Sequence, residues 1–333
     1  MLVLGIETSC DDTAAAVLLD GRTILANVVS SQDTIHGPYG GVVPELASRQ
    51  HVKNILPIID GALNKANVRV QDIDGVAVTR GPGLVGSLLV GLSLAKGMAF
   101  RWSIPFVGVN HLEAHLLAIQ LEHAVPFPYI ALLASGGHTL LYCVKNFGDY
   151  VYLGGTRDDA AGEAFDKVAK MMGLGYPGGR VIDHLARRGD PEAIRFPRAR
   201  VRNSSFDFSF SGIKTAVWRY LNKSISEDVW KKQIPDIAAS FQEAVVDMLV
   251  YPTIHVARTR DIGRIVLAGG VAANRRLREK MKEEAEGAGL ELYFPAPKFC
   301  TDNGAMIALA GYHRLLSGER DHFHLNADAD LTL

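Results

Sequence analysis

The sequence predicts an α/β protein of two lobes, each built from one copy of a βββαβα unit. Three observations carry that expectation: an apolar three-strand opening, a second run of the same element order from Tyr129, and glycine-rich turns at strand ends in both halves. Length agrees, because 333 residues exceed the roughly 250–300 at which a single core usually stops growing.

Residues 2–6 read as a buried strand and 14–19 and 24–30 as two more, with Asp20-Gly21 as the hairpin turn. Helical periodicity runs from Pro44 to about Asn67 through Leu46, Val52, Ile55, Leu56 and Ile59, and Pro44 suits a first turn. A strand at 75–79, the turn Gly81-Pro82-Gly83 and a helix through about Ala99 come next, then a strand at 105–109 that changes period at His111. From Tyr129 the order restarts, with strands 129–134, 138–144 and 150–153, helices 161–172 and 235–258, strand 264–268, and Gly269-Gly270 leading into a helix. The lobes are therefore set at residues 1–125 and 126–333, with the last helix a candidate to pack back on the first lobe.

An insertion at about 190–232 interrupts the second copy. It carries Arg195, Arg198, Arg200 and Arg202 with Phe206, Phe208 and Phe210. Such a segment is either a solvated excursion or a surface for RNA or a partner, since cations contact phosphates and aromatic rings stack on bases.

The chain is 48% hydrophobic and 21% charged, an ordinary globular composition. A net charge of −1 gives no global attraction to nucleic acid, so RNA binding has to rest on a local basic patch or a partner subunit. Cys10, Cys143 and Cys300 form no C-x-x-C pair, which fits a reducing compartment. The first residues lack a basic leader and no run approaches the roughly 20 apolar residues of a membrane span, so the expected location is cytoplasmic, without a membrane.

His111 and His115 lie four apart, so on a helix they share one face and can reach a single ion. A zinc protease would place its base directly after the first histidine, where this chain has Leu112. Glu113 sits about 200° around the helix from His111 and points elsewhere. A third ligand is available in Asp302, just ahead of an apolar helix, where it could equally serve as the N-cap. Two imidazoles and a carboxylate leave positions open, as a catalytic ion requires, and suit iron(II) or zinc.

Three glycine turns complete the candidate chemistry. Ser135-Gly136-Gly137-His138-Thr139 joins two strands, Gly178-Gly179 precedes a short helix bearing Asp183, and Gly269-Gly270 ends a strand ahead of Asn274. Each can present backbone N–H groups to phosphate. Glycine turns distributed through a duplicated unit are expected of the actin, sugar-kinase and heat-shock ATPase superfamily, with nucleotide in a central cleft. No P-loop pattern occurs, and no G-x-G-x-x-G comes after the first strand.

Seven segments together resemble the TsaD-type tRNA threonylcarbamoyltransferases: Gly5 to Thr13, Gly81 to Leu84, Asn110 to His115, Ser135 to Thr139, Asp158 to Lys167, Phe208 to Lys214 and Gly269 to Asn274. Asp12 departs from the glutamate usual after Asp11. The resemblance implies transfer of a threonylcarbamoyl group from threonylcarbamoyl-AMP to the N6 amine of the adenosine just 3′ of the anticodon. It implies that His111, His115 and Asp302 bind one divalent metal, Fe2+ favoured and Zn2+ second. It implies further that Ala134, Ser135, Gly136, Gly137, His138, Asp166, Gly179, Asp183 and Asn274 hold the adenylate. Asp11 and His138 are the candidates for positioning the amine or taking its proton. Implied partners are tRNA, a TsaB-like relative, a TsaE-type ATPase and an upstream threonylcarbamoyl-AMP synthase, with this chain a stand-alone subunit. The alternatives are a non-catalytic nucleotide-binding scaffold of the same fold and a small-molecule kinase.

Overall fold

The apolar opening segment becomes β1 (Leu2–Glu7), buried from Val3 to Glu7 at the centre of a mixed sheet. Burial on both faces explains why it reads as a continuous apolar run rather than an alternation. It pairs antiparallel with β2 (Asp12–Leu19), which pairs antiparallel with β3 (Thr23–Ser31). On its other side it runs parallel to β4 (Gly75–Gly81), and β4 runs parallel to β5 (Phe106–Asn110), giving the order β3-β2-β1-β4-β5. Asp20 and Gly21 adopt the left-handed backbone that the β2–β3 turn requires.

The short α1 (Asp33–His36), α2 (Pro44–Ala66), α3 (Val85–Trp102) and α4 (His111–Leu117) join these strands. The apolar periodicity of α2 resolves into two faces. Ile55 and Ile59 enter the core, whereas Val52 and Leu56 stay 64% and 58% exposed. A heptad-like count cannot separate a core face from an apolar surface stripe.

The computed structural model describes residues 1–199, 206–224 and 227–333. By their internal contacts they form two units, Met1–Val125 with Lys298–Leu333, and Pro126–Pro297.

In the second unit β6 (Tyr129–Ala134) is central. It is antiparallel to β7 (Thr139–Asn146), which pairs with β8 (Asp149–Gly155), and parallel to β9 (Arg264–Ala268), which pairs with β10 (Glu291–Tyr293). The order β8-β7-β6-β9-β10 repeats that of the first sheet, strand for strand. The helices of this unit are α5 (Ala161–Met171), α6 (Gly178–Ala186), α7 (Ser211–Arg219), α8 (Glu227–Trp230), α9 (Ile234–Thr259) and α10 (Arg275–Gly287). Among them α9 is the spine, burying Phe241, Val245 and Leu249.

The insertion differs from its expected reading. Phe208 and Phe210 are buried, and the Asp158 carboxylate fixes their segment by accepting from Ser209 Oγ, Phe210 N and Ser211 Oγ at 2.6, 2.7 and 2.8 Å. Those rings belong to the core and are not available to stack on bases. Arg195 is exposed, Arg198 donates to Asp247 at 3.0 Å, and Arg200 and Arg202 lie outside the described residues.

The chain closes with the short α11 (Pro297–Cys300) and with α12 (Gly304–Leu316), which lies on β1, β2 and β4. The approach is very close. A Cβ on Gly5 would fall 2.2 Å from the Gly304 carbonyl oxygen, and one on Gly311 would fall 2.1 Å from Ala77 Cβ. Among the described residues no helix is long and apolar enough to cross a membrane.

Candidate functional site

In the first unit the carboxyl ends of β1 and β5 and the loop before α12 bring titratable groups together. Asn110 ends β5 and caps α4, its Oδ1 accepting from Leu112 N at 2.8 Å and Glu113 N at 3.3 Å. The next two turns place His111 and His115 on one face, as four-residue spacing dictates. Their rings stand 4.6 Å apart and nearly perpendicular, at 87°. Asp302 Oδ1 lies 3.1 Å from His115 Nε2 and 3.5 Å from His111 Nε2. One ligand atom from each of these three residues falls within 4.8 Å of the others. Two imidazoles and a carboxylate at this spacing form a donor set that fits a metal ion.

Asp302 does not cap the last helix. That role falls to Asn303, whose Oδ1 accepts from Met306 N at 3.0 Å, leaving the Asp302 carboxylate to face the imidazoles. Glu113 is turned away, as its helical phase requires, and is paired with Arg314 at 2.7 Å.

Behind His111 stands a residue that sequence reasoning passed over. Glu7 ends β1 with no exposed surface, and its Oε2 accepts from Thr79 Oγ1 at 2.6 Å and lies 3.0 Å from His111 Nδ1. Its Oε1 accepts from Ser9 N. An acid closing an otherwise apolar buried strand was the available signal. Burial pushes the Glu7 carboxyl up, but the charge and hydrogen bond of His111 outweigh it and hold the carboxyl below its usual range. For His111, burial opposes the charged form and the carboxylates of Asp302 and Glu7 prevail, so its pKa is pushed up to about 9.

Asp11, expected from the sequence at the end of the first strand, lies beyond it. β1 stops at Glu7, and Asp11 occupies the loop ahead of β2. Burial and then the Asp302 charge raise its pKa, and the same two causes with Asp11 itself raise that of Asp12 to about 7. His51 braces this loop, with Nε2 2.9 Å from the Cys10 carbonyl oxygen and Nδ1 2.8 Å from Thr13 Oγ1.

The second unit carries the glycine turns. β6 ends at Ala134, and the turn to β7 is closed by Ser135 N donating to the His138 carbonyl at 2.8 Å and by His138 N donating to Ser135 Oγ at 3.1 Å. Gly136 and Gly137 are exposed, and a Cβ on either would meet nothing within 4 Å. Behind the turn there is no such room, because a Cβ on Gly162 would lie 2.5 Å from the Ser135 carbonyl oxygen.

Gly178 and Gly179 begin α6 rather than precede it. Gly178 N donates to Asp166 Oδ1 at 2.7 Å, which ties α6 to α5. Asp183, one turn on, is bound by Arg187 at 3.2 Å through Oδ2, while its buried Oδ1 has no hydrogen-bond partner. Gly269-Gly270 does not lead directly into a helix. A 3-10 turn, Gly270–Ala273, intervenes, and α10 starts at Arg275 with Asn274 as its cap. Asn274 Oδ1 accepts from Leu277 N at 2.9 Å and its Nδ2 donates to Gln242 Oε1 at 2.8 Å.

The sequence pattern of the TsaD family, tRNA N6-adenosine threonylcarbamoyltransferase, matches residues 23–309. Proteins bearing that name are similar along the whole chain. The one from Geotalea uraniireducens is 54% identical, covering 98% of this chain and 95% of its own length. The one from Anaeromyxobacter sp. is 55% identical, covering 98% of each. Among solved structures, the (R)-2-hydroxyglutaryl-CoA dehydratase component A of Acidaminococcus fermentans superposes with a TM-score of 0.56 at 18% identity, over 95% of this chain and 99% of its own. HypF of T. kodakarensis gives 0.58 at 15% identity, over 95% of this chain and 48% of its own. At such identities the likeness speaks for the fold, which is of the actin-like ATPase type.

Proposed function

The chain belongs to the tRNA N6-adenosine threonylcarbamoyltransferase family, and we propose that it performs that transfer with one divalent ion held by His111, His115 and Asp302. The convergence of those three ligand atoms within 4.8 Å is the observation that carries the reading. Iron(II) is the proposed ion and zinc the second choice, since neutral imidazoles and a carboxylate suit both. When bound, it supplies Lewis-acid polarisation of the carbamoyl carbonyl.

The chain's own residues do the remaining work. Backbone N–H groups of the 135–138 turn receive the phosphate of threonylcarbamoyl-AMP, in the open space before Gly136 and Gly137. Asp166 and Asp183 accept from the ribose hydroxyls, and the unpartnered Oδ1 of Asp183 is suited to that role. Gly179 leaves room beside them, and Asn274 sets the start of α10. The adenosine N6 attacks the carbamoyl carbon, the bond to the phosphate oxygen breaks, and AMP leaves. The N6 proton passes to Asp11, whose raised pKa brings it nearer neutrality, with His138 as the second candidate. A TsaB-like relative, a TsaE-type ATPase and a threonylcarbamoyl-AMP synthase are the proposed partners, and the cytoplasm the proposed location.

A reconstituted assay with threonine, bicarbonate, ATP, the synthase, the accessory proteins and unmodified tRNA tests this. Wild type is expected to form the threonylcarbamoylated nucleoside, and the His111→Ala, His115→Ala double variant to form none. Full activity of that variant with its metal lost would sink the metal role. No product from wild type would sink the whole reading.

A further inference from the structure

We infer that Glu7 is the positioning residue of the metal group, fixing His111 as the Nδ1–H tautomer so that Nε2 is left to the ion. This rests on the proposed metal role of His111, His115 and Asp302.

The two histidines are held differently. His111 Nδ1 lies 3.0 Å from Glu7 Oε2 and 3.2 Å from Ser9 Oγ, whereas the buried Nδ1 of His115 has no hydrogen-bond partner. A carboxylate can only accept, so the Nδ1 facing Glu7 must carry the proton. With that proton fixed on Nδ1, Nε2, the atom facing Asp302, is the nitrogen whose proton an ion would displace. Carboxylate-to-histidine support of this kind raises ligand basicity and locks ring orientation.

Glu7 is itself unusually committed. Its side chain has no exposure, Thr79 Oγ1 and Ser9 N also donate to it, and no Lys or Arg among the described residues pairs with it. A fully buried carboxylate is costly unless a positive charge compensates it, and His111, which lies against it, is where a proton or an ion can supply that charge. The anchoring is also rigid, because Glu7 ends the central strand while Thr79 lies on the neighbouring β4. Among the described residues the printed polar contact of His115 is to Asp302, so the strand-anchored support of the group comes from the Glu7 side.

Glu7→Gln keeps the shape and removes the charge. Competition against a chromophoric chelator, with Zn2+ as the probe, is expected to show binding weakened about 10–100-fold relative to wild type. The metal-free unfolding midpoint should change less than the rise produced by saturating Zn2+, which shrinks in the variant. A structural role alone would lower the metal-free midpoint and leave the affinity intact. If Glu7→Gln does not fold, Thr79→Val, which deletes one donor to Glu7, should weaken Zn2+ binding in the same direction by a smaller factor. Independently, 15N chemical shifts of Zn2+-loaded wild type should report His111 protonated at Nδ1.

Wild-type Zn2+ affinity in Glu7→Gln, or a proton on His111 Nε2, would overturn the inference while leaving the metal site standing. Failure of wild type to bind Zn2+ or Fe2+ at all would instead overturn the proposed metal role.

Discussion

The same strand order is laid down twice, yet the two sheets end in opposite ways. At the end of the first sheet the chain buries charge, with Glu7, His111, Glu113 and His115 all nearly inaccessible and each held by a named partner or by the fold. At the end of the second it presents backbone, and Gly136 and Gly137 stand in the open with a closed turn behind them. One topology can thus supply a rigid, electrostatically loaded pocket from side chains and an accessible cradle from backbone. The difference lies in the residues at the strand ends: an acid and a histidine helix in one case, paired glycines in the other.

If that contrast is right, the first unit should punish small changes most. Gly5→Ala drives a Cβ to within 2.2 Å of the Gly304 carbonyl and must shift α12, so a loss of about 3 kcal/mol or more is expected in urea unfolding. A loss below about 1 kcal/mol would mean that the sheet and α12 are not so tightly joined. Arg314→Ala takes the guanidinium away from the buried Glu113 carboxylate. Because Arg314 is partly exposed, the expected cost sits at the low end of about 3–5 kcal/mol, and Glu113→Gln in the same background should recover part of it.

A smaller effect concerns acid. Burial lowers the His313 imidazole to about 4, below the 6.5 of an unperturbed histidine, so the unfolded chain takes up the proton first. Its stability contribution is intact above about 6.5 and is lost as pH falls toward 4. Urea midpoints across that window should fall less steeply in His313→Gln. An identical slope would remove His313 as a source.

The smallest stability effect belongs to the second unit. Gly136→Ala with Gly137→Ala should change stability by less than about 0.5 kcal/mol, since neither Cβ meets the protein. The same pair should raise the KM for threonylcarbamoyl-AMP. Loss of folding in that variant, or an unchanged KM, would erase the distinction between the two strand ends.

Much of this was legible in the sequence. The apolar runs at 129–134 and 264–268 mark their strands to the residue, because buried parallel strands leave an uninterrupted signal. His111 and His115 were legible because helical spacing is local. What escaped depends on distant segments meeting. Glu7 looks like any acid ending a strand until β4 and α4 close over it. Asp302 could equally be a cap in the sequence, and only the structure gives that role to Asn303. Phe208 and Phe210 fit either a solvated excursion or a stacking surface, because composition does not reveal that Asp158 folds their backbone inward. Val52 and Leu56 share the period of Ile55 and Ile59, so pattern alone could not assign them to a surface stripe.

The most direct test combines metal content and chemistry in one sample. Protein stripped by a chelator, then reloaded with Fe2+ or Zn2+, is assayed with the synthase and accessory proteins for threonylcarbamoylated tRNA, beside Asp302→Ala treated identically. Wild type should lose transfer on stripping and regain it on reloading with about one ion per chain, as expected for a site of this donor set, while Asp302→Ala should regain neither. Transfer that persists at the wild-type rate in fully stripped protein would contradict a metal-dependent site at His111, His115 and Asp302.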